Sequence, residues 1–216
     1  PRQCGKTTLA QSLRGVYYDL EQPSERLRLD LDWNRLVDGD TLIVLDEAQS
    51  WPELFPRLRS AIDAKRKQLG RFLLLGSVAP SLMTQISEAL TGRLALLELT
   101  PFLLTEVPAE FRDRHWLVGG YPDGGVLDAR SFPRWQLDYL RLLTQRDLPS
   151  WGLTAKPQMT ERFVRMVAAS HGQTLNASQL GASLGIDGKT VTSYLDYFLG
   201  TFLVRRLPAY QANIRK

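Results

Sequence analysis

The chain has 216 residues, enough for one filled α/β domain and a smaller second unit, and its 27 Lys and Arg face 23 Asp and Glu. One cysteine and two histidines without ligand-spaced companions exclude a disulfide framework and a Cys/His metal site, and they fit a reducing, cytoplasmic setting. No run reaches the roughly 18 apolar residues of a membrane span, no signal-peptide pattern opens the chain, and a soluble protein without membrane contact is expected.

The net charge of +4 is confined to the end. From Met159 onward seven cations face three carboxylates, so the preceding residues sum to zero. Such a basic segment is either a weak attractor of nucleic acid or ordinary solvated surface.

The first residues, PRQCGKTTL, need only a glycine before Pro1 to complete GxxxxGK[ST]. The chain is therefore expected to be a piece of a longer one, short of the loop's first glycine and of the strand ahead of it. In such a loop backbone N–H groups point at the β- and γ-phosphates of a nucleotide, and a lysine and a hydroxyl complete the cradle. Here these are Lys6 and Thr7, with Gln3, Cys4, Gly5 and Thr8 as the remaining phosphate-binding positions. A helix over 8–13 and a strand over 16–20 follow, then a helix from Pro23 with Ser24 as its cap.

Residues 41–47, TLIVLDE, read as a buried strand running into two carboxylates, a Walker B pattern. Beside a phosphate loop, Asp46 can hold Mg²⁺ through water and Glu47 can polarise a water for attack on the γ-phosphate. The alternative for the pair is a solvated strand end followed by a helix cap, a reading that Lys6 and Thr7 weigh against.

A helix is predicted over 52–69 and an apolar strand over 72–77. Ser77, at the carboxyl end of that strand, is either a sensor that places the attacking water or a serine opening a loop before a helix capped by Pro80 and Ser81. A strand over 94–99 completes five, counting the one before Pro1, and the alternation predicts a parallel sheet with right-handed crossovers. Arg93 and Arg146 are candidate cations for charge developing on the γ-phosphate, or else members of surface ion pairs.

The segment 132–146 reads as a helix with Trp135, Tyr139, Leu142 and Leu143 on one side. Residues 174–187 and 189–199 then have helix-turn-helix spacing, with a wing over 202–207. Within the second helix Leu195 and Leu199 are expected to line the core, flanked by Tyr194, Tyr197 and Phe198.

PRQCGKTTLAQ, TLIVLDEAQ, FLLLGSVAPSL, LTGRLALLELTPF, GGYP and QRDLPSWG, in that order, resemble the bacterial and archaeal AAA-type ATP-binding proteins that carry a C-terminal domain of unknown function. The resemblance implies an α/β P-loop NTPase core with a parallel sheet, followed by a winged-helix domain. It places the core at 1–105, a helical linking segment at 106–157 and the winged helix at 158–216. The reaction it implies is hydrolysis of ATP with Mg²⁺, with Thr7 and Asp46 serving the metal and Glu47 the water. A protein partner or self-association is expected, and weak non-specific DNA binding is allowed. The alternative is an ATP-dependent regulator that binds nucleic acid through the winged helix.

Overall fold

The computed structural model describes residues 1–76 and 89–208. The chain forms two units, Pro1–Phe132 and Pro133–Lys216, divided within the segment that the sequence assigns to a linker.

In the first unit a loop of five residues leads into α1 (Lys6–Gln11). A parallel sheet follows, made of β1 (Gly15–Asp19), β2 (Leu42–Asp46) and β3 (Phe72–Leu74), with β2 in the middle. Its central strand is LIVLD, and Ile43, Val44, Leu45 and Asp46 are all buried, as expected of a strand covered on both faces. The regular part of β3 is shorter than the predicted 72–77, although the Leu75 N–H still donates to Leu45 O at 2.9 Å.

Helices α2 (Pro23–Asp38) and α3 (Leu54–Ala64) bury Leu29, Leu36, Leu54, Phe55 and Leu58 in one core with Tyr18, Ile43 and Leu45. These three strand residues share a pleat face, so Tyr17, Val44 and Asp46 belong to the other, the face that meets α1. Pro23 opens α2 behind Gln22, because its fixed φ suits the first turn and it has no N–H to leave unsatisfied. Ser24, expected as the cap, lies inside that first turn instead.

α3 stops at Ala64, short of the expected Leu69. Beyond it the buried Arg71 guanidinium donates to Val37 O at 2.5 Å and Ala61 O at 2.9 Å, fastening the C-terminal ends of α2 and α3 at the amino edge of the sheet.

The expected strand over 94–99 does not form among the described residues. An apolar run becomes a strand only through a hydrogen-bonded neighbour, and here Leu96 and Leu97 are exposed. A small second core then gathers Phe102, Val107, Phe111, Val118, Val126 and Phe132 around α4 (Arg112–Val118). Gly120 is essential to it: Phe102 N–H donates to Gly120 O at 2.8 Å, and a Cβ on Gly120 would lie 2.1 Å from Phe102 O.

The second unit is helical. α5 (Arg134–Leu142) continues through a π-helical turn, Leu143–Asp147, into a last turn, Leu148–Ser150. α6 (Pro157–Ala169), α7 (Ala177–Leu184) and α8 (Gly188–Gly200) follow, and the core collects Leu143, Leu148, Phe163, Leu180, Val191 and Phe198. Gly185, at φ +72°, ends α7, and Asp187 caps α8 by accepting from the N–H groups of Lys189 and Thr190, so the two helices are joined by residues 185–187.

Within α8 the buried stripe is Val191, Leu195 and Phe198, while Leu199 is only half-buried, which corrects the expected pairing of Leu195 with Leu199. No strand forms over 202–208, so the described residues contain no wing. The Leu203 and Val204 N–H groups donate to Phe198 O at 2.9 and 3.3 Å, turning the chain back onto the end of α8 rather than into a ladder.

Phe198 is fully buried, with its ring centroid 5.2 Å from that of Phe163. Phe198→Ala should therefore destabilise the second unit by about 3–5 kcal/mol, read as a lower denaturation midpoint, and a loss below about 1 kcal/mol would contradict this packing.

Candidate functional site

Asp46 ends β2 with its side chain only 4% exposed, and three groups converge on its carboxylate. Thr7 Oγ1 donates to Oδ2 at 2.6 Å, the Tyr17 hydroxyl donates to the same oxygen at 2.7 Å, and the Glu47 N–H donates to Oδ1 at 2.9 Å. All three donors are neutral. The site therefore offers a buried carboxylate and a hydroxyl side by side, hard oxygen ligands that fit a divalent cation such as Mg²⁺.

The loop before α1 owes its path to two left-handed residues, Gln3 at φ +57° and Gly5 at φ +92°. Glycine takes that conformation freely; for Gln3 it is uncommon. Cys4 is buried, and its thiol donates to Pro1 O at 3.1 Å and Leu99 O at 3.4 Å, which ties the loop to the end of the 94–99 segment. Pro122, in the GGYP turn, borders the loop, with its Cγ 4.0 Å from where a Cβ on Gly5 would lie. Lys6 donates to Pro1 O at 2.5 Å, while Gln3, Thr7 and Thr8 are exposed.

Glu47 follows Asp46 directly and is also left-handed, at φ +50°. Its carboxylate accepts from Gln49 Nε2. Burial raises the Glu47 pKa above its ordinary 4.5; the hydrogen bond from Gln49 opposes the shift and the nearby charge of Asp46 adds to it. Ser50 Oγ lies 2.7 Å from both Leu20 O and Glu47 O, which share its one proton, and Arg26 donates to Leu20 O at 2.6 Å and Ser50 O at 2.9 Å, so the turn after β2 is fastened to the end of β1.

The structure thus brings Thr7, Asp46 and Glu47 together, with Lys6 beside Thr7 in the first turn of α1. Ser77 lies outside the described residues. Arg93 is not brought to this site: it grips both carboxylate oxygens of Asp63 at 2.8 and 2.9 Å, in the last turn of α3, at the amino edge opposite Asp46. Arg146 is exposed on the π-helical turn of the second unit.

Sequence reasoning missed Tyr17 and Gln49. Strand alternation alone could have put Tyr17 on one of two faces, but only the β1–β2 register makes that face the one carrying Asp46.

Residues 1–108, half of the chain, match a family model described as an AAA domain, and the chain belongs to that family of AAA-type ATPases. Residues 110–216 match a domain of unknown function (DUF8612). Among curated proteins the chain is 36% identical over 223 residues to the uncharacterized protein Rv2008c of Mycobacterium tuberculosis and equally to the uncharacterized protein Mb2031c of Mycobacterium bovis. The match covers 100% of this chain and 50% of each relative, so the chain spans about half their length. No solved structure matches it significantly. Among the described residues no helix is long and apolar enough to cross a membrane.

The raised pKa of Glu47 has a sign that can be measured. Ionised Glu47 destabilises the fold above pH 4.5, its ordinary value, and the penalty is complete above the raised folded-state pKa; below both values the carboxyl is protonated in either state. Glu47→Gln should therefore raise the melting temperature relative to wild type at about pH 8, with the gain fading toward about pH 4. An equal difference at both ends would show that burial of charge is not the cause.

Proposed function

We propose that the chain binds ATP with Mg²⁺ and hydrolyses it. The observation that carries this reading is the meeting of Thr7 and Asp46 at 2.6 Å, from the first turn of α1 and the end of β2, in a chain of the AAA domain family. On binding, Lys6 exchanges Pro1 O for the β- and γ-phosphates, which Gln3, Cys4, Gly5, Lys6, Thr7 and Thr8 line with backbone and side-chain donors. Thr7 and Asp46 would hold Mg²⁺, Thr7 through its hydroxyl oxygen and Asp46 through its carboxylate. The bound ion neutralises charge on the phosphate oxygens.

Glu47 orients the attacking water and accepts its proton. A carboxylate with a raised pKa is a stronger base for that step than an ordinary one. Ser77 would help to place the same water, and of the two candidate arginines Arg93 is engaged with Asp63. The expected protein contact, with another chain or a second copy, is supported by large apolar side chains left in water, Leu97 at 85% and Trp116 at 87% exposure.

The regulator alternative finds less support in α8. Val191, Leu195 and Phe198 are buried, Tyr194 packs edge-on against Phe163 with centroids 5.5 Å apart, and the Tyr197 hydroxyl donates to Gly152 O at 3.0 Å. Lys189, Thr192, Ser193 and Asp196 make up its exposed face, one cation against one carboxylate, a poor match for an anionic groove.

Lys6→Ala should weaken ATP binding by about tenfold or more, whereas Glu47→Gln should keep binding and lower turnover by about a hundredfold. Unchanged affinity in the first variant, or equal loss of binding and turnover in the second, would remove these roles. In a fluorescence titration of duplexes at about physiological salt, no sequence should be preferred a thousandfold over random DNA; such a preference would restore the regulator reading.

A further inference from the structure

We propose that Tyr17 is a positioning residue of this site, one that holds the Asp46 carboxylate in the orientation from which it serves a divalent cation. The inference rests on the nucleotide-and-Mg²⁺ reading above and extends it to a residue outside both motifs.

The placement follows from strand register. β1 and β2 pair in parallel with Tyr17 beside Val44, and Val44 shares its pleat face with Asp46 two residues on. Tyr17 therefore stands one diagonal step from Asp46 on the same face, a span that an aromatic side chain can bridge. Its hydroxyl ends 2.7 Å from Asp46 Oδ2. Tyr18, next in the chain, points to the opposite face and donates to Asp32 Oδ2 of α2 at 3.0 Å. Two adjacent tyrosines thus make the same kind of bond to different carboxylates, and only one of these belongs to the site.

What Tyr17 does to the carboxylate is specific. Oδ2 accepts from Thr7 and Tyr17 together, and Oδ1 accepts from the Glu47 N–H, so donors from three separate segments fix the plane of the group. Every donor is neutral, whereas a lysine or arginine in the place of Tyr17 would compete with a cation for the carboxylate. Removing the Tyr17 hydroxyl leaves Thr7 as the sole partner of Oδ2 and frees the carboxylate to rotate away from the metal position.

Tyr17→Phe deletes the hydroxyl and keeps the ring, and Tyr18→Phe is the matched control on the other face. Binding of Mn²⁺, as a paramagnetic stand-in for Mg²⁺, is followed by EPR in the presence of ATP. The Mg²⁺ concentration that half-saturates ATP turnover is measured alongside it. Loss of such a supporting partner typically weakens a metal site by about 10–100-fold. Tyr17→Phe should therefore raise both midpoints by about tenfold or more, with turnover restored at high Mg²⁺, while ATP binding without metal changes less than about twofold. Tyr18→Phe should leave both metal midpoints within about twofold of wild type, whatever it does to the melting temperature. Wild-type midpoints in Tyr17→Phe, or equal shifts in the two variants, would overturn the inference and leave the nucleotide reading intact. Failure of the wild-type protein to bind Mn²⁺ with ATP would overturn both.

Discussion

Asp46 puts a carboxylate at the end of the most buried strand of the first unit, where a charge without hydrogen-bond donors is heavily penalised. Much of the local architecture is the means of supplying them. α1 must begin where Thr7 can reach across, β1 must hold the register that delivers Tyr17, and the chain must turn at Glu47 so that its N–H faces back. Two elements 39 and 29 residues back in the chain therefore meet at one side chain, together with the residue that follows it. The same convergence that satisfies the carboxylate brings a hydroxyl, the loop before α1 and a second carboxylate to the carboxyl edge of the sheet, where parallel α/β proteins bind ligands.

How far this was readable depends on whether a signal is local. Asp46 and Glu47 announce themselves through the four aliphatic residues before them, and Lys6 and Thr7 through the spacing of the loop. Gly185 and Asp187 mark the end of one helix and the start of the next by backbone and capping preferences that act over a few residues. Tyr17 was hidden because its face matters only once β1 is paired with β2. Arg71 was hidden for a related reason, since the carbonyls it joins lie on two helices that only the folded unit brings together. The failures over 94–99 and 202–207 come from reading pairing into composition: leucine-rich or basic-flanked runs look like strands, but each needs a partner edge that the described residues do not provide.

The two units carry their order differently. In the first it is spread over a parallel sheet, two helices on one face and a small separate core around α4, and the site lies at the sheet's edge. In the second it is concentrated in aromatic packing, where Phe163 meets both Tyr194 and Phe198, and in the caps that end α7 and start α8. The apolar positions of α8 are largely absorbed by the unit's own core.

Glu47 and Gln49 show where the demands of the site override those of the fold. Glu47 adopts a left-handed backbone that costs a non-glycine residue about 1–3 kcal/mol, and Gln3 on the loop does the same. Gln49 points its Nε2 at the Glu47 carboxylate, which leaves its Oε1 buried with no hydrogen-bond partner among the described residues. Turning the amide over would set its oxygen against the carboxylate, so the observed orientation is the one that electrostatics selects. An orphaned buried acceptor costs about 1–3 kcal/mol, and a fold shaped for stability alone would place an apolar side chain there. Strain at Gln3 and Glu47 and the orphaned oxygen of Gln49 all lie within a few residues of Lys6, Thr7 and Asp46. A third left-handed residue, Phe202, lies in the second unit, so it is the orphaned acceptor beside Glu47, together with the strain at Gln3 and Glu47, that sets this carboxylate pair apart from the rest of the described residues.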